Sequence, residues 1–167
     1  MTTLTLQDFL TYIHAFNAQN YTLQHTFYHR TVSLTLPDPD IPPLKSSPAI
    51  QSHYDTIHAL AHETVVPMIV LIDANRVFFS MEAYFQYRID TDNAVHGYSV
   101  KAGDVIRVKV WAVYEIVEGK MGAIVCCAVG DECLGKVEIG DVVAESWGRA
   151  DESVRSVWER EFGEGIF

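Results

Sequence analysis

Two tyrosines could supply proton-donating hydroxyl groups, because each is a polar side chain on an otherwise apolar strand face. In residues 76–90 apolar side chains occupy alternate positions, and that series includes Tyr87; residues 104–117 repeat the pattern with Tyr114. Alternate side chains of a strand share one face, so both tyrosines are predicted to reach the concave, core-facing side of a sheet. Each hydroxyl could donate to a substrate, although a core tyrosine with a satisfied hydroxyl would show the same pattern.

Glu82 is a carboxylate in the middle of the first of these strands, which raises the question of a catalytic role. It falls on the even-numbered face with Arg76 and Arg88, and the next strand offers Arg107 and Lys109 on that side. Cross-strand charge pairing on the outer face explains this pattern without catalysis. We therefore predict a structural role for Glu82, with a pocket carboxylate as the alternative.

The seven histidines include one candidate for proton transfer and one candidate metal pair. His53 lies in a predicted helix, where an imidazole could move protons near neutral pH or simply pack against the first helix. His58 and His62 lie one helical turn apart, with Asp55 nearby, but zinc would need a further ligand set that no motif supplies. We predict a solvated helix face and no metal. No glycine-rich phosphate loop or CxxC pair is present, so no cofactor is expected.

The composition excludes several classes of partner. The formal net charge is −10, without a basic stripe, so neither nucleic acid nor an anionic membrane surface is an expected partner. No apolar run approaches the roughly 20 residues that a membrane-spanning helix needs, and the first residues do not resemble a signal peptide. Cys126, Cys127 and Cys133 are expected to be reduced thiols. We therefore expect a cytoplasmic protein.

Hydrophobic periodicity assigns the elements that must position these residues. The pattern predicts helices at 6–18, 22–28, 49–62 and 151–162, and strands at 31–36, 64–72, 76–90, 104–117 and 121–129. A proline-rich loop at 37–48 and a polar loop at 92–103 could form the two lips of a pocket. We expect one domain: residues 1–130 carry the main fold, and 131–167 are a C-terminal extension of the same domain with a helix.

This order of elements resembles the nuclear-transport-factor-2-like fold, specifically its SnoaL-like and ketosteroid-isomerase-like branch. The segment from Tyr12 to Asn20 is similar to the end of the first helix of ketosteroid isomerase, and Val110 to Ile124 is similar to the closing hairpin of the family. The resemblance implies an α+β fold, a cone-shaped barrel. Three N-terminal helices would pack on a strongly curved, mixed or antiparallel sheet around an internal pocket.

The resemblance also implies roles for individual residues. Tyr12 matches the tyrosine that donates to the substrate oxyanion, and Tyr28 and Tyr54 match tyrosines networked behind it. His53 matches a pocket-lining position and is the predicted base, with Tyr114 as a further catalytic proton donor. The other residues predicted to bind substrate, beside Tyr28 and Tyr54, are Phe16, Asn17, Tyr87 and Trp111.

Three departures from the known members limit the expected chemistry. Leu36 stands before Pro37 where the isomerase has its base aspartate, and Trp111 or Ala112 stands where it has a protonated aspartic acid. Asn17 replaces an aspartate of scytalone dehydratase. Steroid isomerisation itself is therefore not expected. The resemblance implies instead a cofactor-independent isomerase or cyclase that acts on a small, largely apolar secondary metabolite. The alternatives are a dehydratase of the same fold and a non-catalytic ligand-binding or dimeric scaffold module.

A homodimer is expected through the outer face of the sheet. Large aromatic side chains alternate with charges there, including Phe78, Tyr84 and Trp111, and leaving them in water is unfavourable. The alternative is that residues 131–167 fold back over this face within one chain, with Trp147 and Trp158 among the covering side chains.

Overall fold

A five-stranded sheet and five α-helices make up the computed structural model, which describes residues 3–166. The helices are α1 (Leu6–Asn17), α2 (Tyr21–His25), α3 (Ser47–Leu60), α4 (Ile139–Arg149) and α5 (Glu152–Phe162). The strands are β1 (Tyr28–Thr35), β2 (Ala61–Asp73), β3 (Arg76–Tyr87), β4 (Asp104–Val117) and β5 (Lys120–Lys136), with a short 3-10 helix at Val95–Gly97. Among the described residues, no helix is long and apolar enough to cross a membrane.

The helix starts follow from local capping chemistry. The Thr5 hydroxyl accepts a hydrogen bond from the Asp8 amide, and the Asp8 carboxylate accepts one from the Thr5 amide. This reciprocal pair satisfies two amides that have no partner within α1. Ser46 caps α3 in the same way by accepting from the Ala49 amide, and Pro48 lies in the first turn.

The sheet has the strand order β1-β5-β4-β3-β2 and is not closed into a complete barrel. β1 and β5 are parallel, and the remaining neighbours are antiparallel. Tight turns join the hairpins: Glu118 and Gly119 both have positive φ, 52° and 75°, which matches the twist of the flanking strands. Register shifts in β2 and β5 mark irregularities that bend the sheet. The α+β cone predicted from the sequence is confirmed.

The inner face of the sheet carries the N-terminal helices. Phe9 of α1 lies with its ring centroid 4.9 Å from Phe79 on β3 and 5.1 Å from Tyr114 on β4. Phe79 belongs to the odd-numbered series of β3 and Tyr114 to the even-numbered series of β4, which alternation assigned to the core. Both residues are buried. The predicted inner faces of β3 and β4 are therefore confirmed.

The C-terminal helices cover part of the outer face, as the sequence-based alternative proposed. The Tyr84 hydroxyl lies 2.5 Å from Ser146 Oγ and donates to the Val142 carbonyl at 3.2 Å. Arg149 donates to both carboxylate oxygens of Glu82, at 2.9 and 3.0 Å. Tyr84 and Glu82 are thus buried under α4 of their own chain, which corrects the expected place of Tyr84 in a dimer contact.

Helix α5 continues from α4 and packs against α1. The ring of Phe162 stacks on His14 with a centroid distance of 4.1 Å, and Trp158 lies edge-on to Phe162 at 4.9 Å. The strand β5 extends to Lys136, so residues 131–136 of the predicted extension belong to the sheet. The sequence patterns predict no helix between residues 131 and 148, so α4 is an element that only the structure reveals.

Several element ends differ from the prediction. The second helix ends at His25 and not at 28, because Tyr28 already pairs with Met121 in the sheet. The strand β3 ends at Tyr87 and not at 90, where its pairing with β2 stops at Ala61. These shifts move helix–strand junctions by a few residues and leave the topology unchanged.

An apolar area remains on the outer face beside α4, and we call it the outer apolar patch. Its first row consists of Leu71, Phe78, Val113 and Val125, which lie in register across four strands. Its second row contains Ile69 and Trp111, each two residues away along its strand. Most of its side chains are exposed, with 52% of Trp111 in solvent. The members are Ile69, Leu71, Phe78, Trp111, Val113 and Val125.

Candidate active site

A cavity of about 320 Å³ lies between α3 and the inner face of the sheet. Its walls are largely apolar and include Ile57, Leu60, Met81, Phe85, Val108 and Val110. Both loops predicted as pocket lips contribute to its lining: Pro37, Asp38 and Ile41 from the proline-rich loop, and residues 93–97 from the polar loop. Concave, mainly apolar sites of this size with a few polar groups are typical of small-molecule binding.

Glu63 is a buried carboxyl that lines this cavity. It is the third residue of β2, its side chain is 7% exposed, and it lines the cavity beside α3. His58 Nε2 lies 2.8 Å from Glu63 Oε2. Burial raises the pKa of Glu63, and the hydrogen bond from His58 opposes that rise. A carboxyl with a raised pKa in an apolar cavity is suited to proton transfer.

His58 is buried and not solvated, which corrects its predicted place on a solvated helix face. Its two ring nitrogens both have partners: Nε2 faces Glu63, and Nδ1 lies 2.6 Å from the Tyr21 hydroxyl. The helix turns this residue toward β2, because α3 ends at Leu60 and the chain reverses directly into the strand. Among residues 3–166 no group of three or more His, Cys, Asp or Glu side chains could hold a metal ion.

Sequence reasoning did not identify Glu63. The predicted helix ended at His62 and the predicted strand began at Thr64, so this residue fell between two patterns that assign faces. A usable signal was present: a single carboxylate opens the most apolar run of the chain, five residues after a histidine. A carboxylate at the start of a buried strand needs a hydrogen-bond partner, and His58 lies close enough to provide one.

Three predicted site residues line the cavity: His53, Tyr54 and Tyr87. Burial raises the pKa of Tyr54 well above 10.0, with a smaller effect from Glu63, so its hydroxyl stays protonated. The Tyr87 hydroxyl accepts a hydrogen bond from the Val95 amide at 2.9 Å, which ties one loop to the cavity wall. Burial lowers the pKa of His53 below 6.5, so this imidazole is neutral near pH 7.

The three cysteines do not form the set of small buried hydrophobes that their residue type suggests, because Cys127 and Cys133 are exposed and Cys126 is partly buried. Cys126 lines the cavity from β5, and burial raises its pKa to about 12, with a further contribution from Cys127. The thiol is therefore protonated and a poor nucleophile at neutral pH.

The remaining predicted tyrosines lie in the core beside the cavity and not on its surface. Tyr12, Tyr28 and Tyr114 are buried, and none of them is among the residues that line the cavity. The hydroxyls of Tyr12 and Tyr28 are 3.3 Å apart, and Gln24 donates to Tyr28 at 3.1 Å. Tyr54 forms no hydrogen bond with either tyrosine within the described residues. The expected three-tyrosine network is absent there, because Tyr54 is turned toward the cavity from α3.

The last three predicted binding residues also lie outside the cavity. The Asn17 side chain donates to the Val65 carbonyl and accepts from the Val65 amide, both at 2.8 Å, and so joins α1 to β2. Phe16 packs edge-on against Tyr54 at 5.0 Å, as a second layer behind the site. Trp111 is on the outer face, because its neighbour Val110 takes the inward position on the same strand.

Comparison with solved structures identifies the fold. A SnoaL-like polyketide cyclase from Agrobacterium tumefaciens matches with 18% identity and a TM-score of 0.57, covering 77% of this chain and 92% of that one. A nuclear-transport-factor-2-like protein of unknown function from Cytophaga hutchinsonii matches with 13% identity and a TM-score of 0.51, covering 76% and 92%. The chain has the nuclear-transport-factor-2-like fold.

The same nuclear-transport-factor-2-like fold occurs with other activities. An epoxide hydrolase from M. tuberculosis matches with 7% identity and a TM-score of 0.52, covering 70% of this chain and 76% of that one. No protein-family model and no curated protein matches the sequence. The function of this chain must therefore be argued from its own cavity.

Proposed function

We propose that this protein is a cofactor-independent isomerase or cyclase that uses acid–base catalysis, with Glu63 as the general base. One observation carries the proposal: a buried carboxyl, held by His58 at 2.8 Å, faces an apolar cavity of about 320 Å³. In such a site a carboxylate is poorly solvated and therefore a stronger base than in water.

The other polar groups of the cavity supply the complementary roles. Glu63 would remove a proton from a carbon next to a carbonyl, and the electron pair of the broken C–H bond would move onto the carbonyl oxygen. Tyr54, whose hydroxyl stays protonated, can donate a hydrogen bond to that oxygen. His53 and Tyr87 line the same cavity and can hold or relay a further proton. Return of a proton to another carbon gives isomerisation, and attack of the enolate carbon on an internal electrophile gives cyclisation.

The substrate that this site fits is small and largely apolar. The wall residues are mostly aliphatic or aromatic, and cavities of roughly 300–1,000 Å³ enclose most of a drug-sized molecule. The likeness to a polyketide cyclase supports a secondary metabolite as the substrate class. The three cysteines are unpaired thiols in the structure, and a cytoplasmic setting stays a prediction.

The proposal can be tested without knowing the natural substrate. The probe 5-nitrobenzisoxazole is a small apolar carbon acid: a base removes its C3 proton, the N–O bond breaks, and a coloured cyanophenolate forms. Wild-type protein should accelerate this elimination, and Glu63→Gln should slow it by about 100-fold or more, the usual contribution of a general base. Because the ionised form is the base and burial raises the pKa of Glu63, the rate should rise with pH through an apparent pKa above 4.5.

Glu145→Gln is the matched control, because it makes the same chemical change on the exposed side of α4. It should keep the wild-type rate and pH profile. Equal rates for Glu63→Gln and wild type, with both proteins folded by circular dichroism, would contradict the assignment of the base.

We further propose that two copies associate through the outer apolar patch. Along β4 the exposed face shows Lys109, Trp111, Val113 and Glu115 in turn. A two-fold axis between the two outer faces, at the level of Ala112 along β4, would place Lys109 of one copy beside Glu115 of the other, and Trp111 beside Val113. This series is therefore self-complementary in charge and shape, which a symmetric contact requires.

A further inference from the structure

A chain of hydrogen bonds runs from the Glu63 carboxyl away from the cavity. Glu63 Oε2 lies 2.8 Å from His58 Nε2, and His58 Nδ1 lies 2.6 Å from the Tyr21 hydroxyl. Tyr21 is the first residue of α2 and is only partly buried, so the chain ends near solvent. Within the described residues no hydrogen bond reaches Glu63 Oε1, which leaves that oxygen to a ligand in the cavity.

A neutral imidazole can conduct a proton, because it can accept one at one ring nitrogen while it releases another from the second. With Glu63 ionised, Nε2–H donates to the carboxylate and Nδ1 accepts from the Tyr21 hydroxyl. With Glu63 protonated, the carboxyl donates to Nε2 and Nδ1–H donates to the Tyr21 oxygen. The second state becomes the first when three protons move: the carboxyl proton passes to Nε2, the Nδ1 proton passes to the Tyr21 oxygen, and the Tyr21 hydroxyl proton passes to water.

We propose that His58 and Tyr21 form a proton path that connects Glu63 to solvent on the side away from the ligand. The path rests on the proposed function, in which Glu63 is the base. It allows the carboxyl to lose a captured proton while the ligand still fills the cavity. The enzyme would then suit reactions in which the substrate proton exchanges with solvent, and not reactions that return the same proton.

The surrounding residues hold the path in place. The Tyr21 and His58 rings are nearly parallel, with an interplanar angle of 9°, and Phe16 contacts the His58 ring edge-on at 5.6 Å. The Arg88 guanidinium donates to the His58 carbonyl and so fixes the end of α3. The titratable and charged groups near the path are His25 on α2, His53, Tyr54 and Asp55 on α3, His62 on β2, and Tyr87 and Arg88 at the end of β3.

Two probe reactions distinguish removal of the substrate proton by Glu63 from release of that proton to solvent. Elimination of 5-nitrobenzisoxazole reports how fast Glu63 removes a proton. Hydrogen–deuterium exchange at the α-carbon of 2-tetralone in D₂O, followed by NMR, reports how often the removed proton is replaced before it returns. Tyr21→Phe keeps the His58–Glu63 contact but interrupts the path. It should lower the ratio of exchange to elimination by about 10-fold relative to wild type, as expected for loss of one hydrogen-bonded step.

Tyr98→Phe is the matched control, because the Tyr98 hydroxyl bonds Asp131 and lies outside the cavity lining. It should keep the wild-type ratio. An unchanged ratio in Tyr21→Phe would overturn the path and show that protons leave through the cavity mouth, while the role of Glu63 would stand. The proposed function would instead be contradicted if Glu63→Gln kept both reactions at the wild-type rate, or if wild-type protein reacted with neither probe.

A measurement without any probe tests the same hydrogen bond. In protein with ¹⁵N-labelled histidine, the Nδ1 resonance of His58 should shift when Tyr21 is replaced by Phe and should not shift in Tyr98→Phe. A Nδ1 resonance that does not respond to Tyr21→Phe would remove the link on which the path depends.

Discussion

Glu63 occupies the junction between α3 and β2, where neither helical nor strand periodicity assigns a face to a side chain. Its buried position and its contact with His58 are consequences of a chain reversal that only the folded structure defines. Strand alternation did identify Tyr87 correctly as a residue on the cavity side. The same rule placed Tyr114 on the inner face, but it could not distinguish the cavity wall from the packed core beneath α1.

Tyr12→Phe tests whether the tyrosines beneath α1 take part in the chemistry. The Tyr12 hydroxyl contacts Tyr28 at 3.3 Å and does not line the cavity. Its removal should lower the free energy of unfolding by about 0.5–1.5 kcal/mol, the value of one buried hydrogen bond. Elimination of 5-nitrobenzisoxazole should stay near the wild-type rate.

Urea denaturation and the elimination assay give the two quantities for Tyr12→Phe. A large loss of rate at unchanged stability would return Tyr12 to the catalytic role that the family resemblance implied.

At the scale of elements, hydrophobic periodicity predicted the first helix and the long strands. It did not predict α4, which covers part of the outer face of the sheet. Helix α4 is amphipathic, but its polar contacts form only in the tertiary fold. Ser146 and Arg149 donate hydrogen bonds to Glu82 on the outer face of the sheet. Burial alone would raise the pKa of Glu82, but hydrogen bonds from Arg149 and Ser146 outweigh it and hold the pKa below 4.5. Glu82 lies on the outer face as predicted, but its ion-pair partner is Arg149 of α4 and not a charged residue of the next strand.

Arg149→Ala should destabilise the protein by about 1–3 kcal/mol, because it leaves the buried Glu82 carboxylate without its charged donor. The partial exposure of Arg149 keeps the loss below that of a fully buried ion pair. Arg160→Ala is the control, since Arg160 pairs with the adjacent Glu161 at the surface. It should change the unfolding free energy little.

Equilibrium unfolding in urea measures both variants. A loss in Arg149→Ala no larger than that in Arg160→Ala would show that α4 is held by apolar packing alone.

At the scale of the whole molecule, the outer apolar patch decides whether the chain acts alone. Trp111 and its neighbours remain exposed after α4 has covered Tyr84, so the sequence-based dimer surface is smaller than expected but still present. The sequence analysis set folding back and association as alternatives. In the structure α4 covers one part of the outer face, and the proposed association would use another part of it.

Trp111→Glu should convert a wild-type dimer into a folded monomer, because a charge at the centre of the patch opposes burial of roughly 1.5–3 kcal/mol per large apolar side chain. Ile89→Glu is the control, since Ile89 is exposed but lies outside the patch. It should remain a dimer. Light scattering gives the mass, and a wild-type value near the 18.8 kDa of one chain would contradict the contact.

The role of Glu63 can be tested most directly by chemical rescue. Glu63→Ala removes the carboxyl and leaves space in the cavity wall, and it should eliminate 5-nitrobenzisoxazole about 100-fold or more slowly than wild type. Added acetate should restore the rate in proportion to its concentration, because a small carboxylate can take the vacated position, and chloride at equal ionic strength should not. If acetate accelerates the Glu63→Ala reaction no more than it accelerates the reaction in buffer, Glu63 is not the base in this cavity.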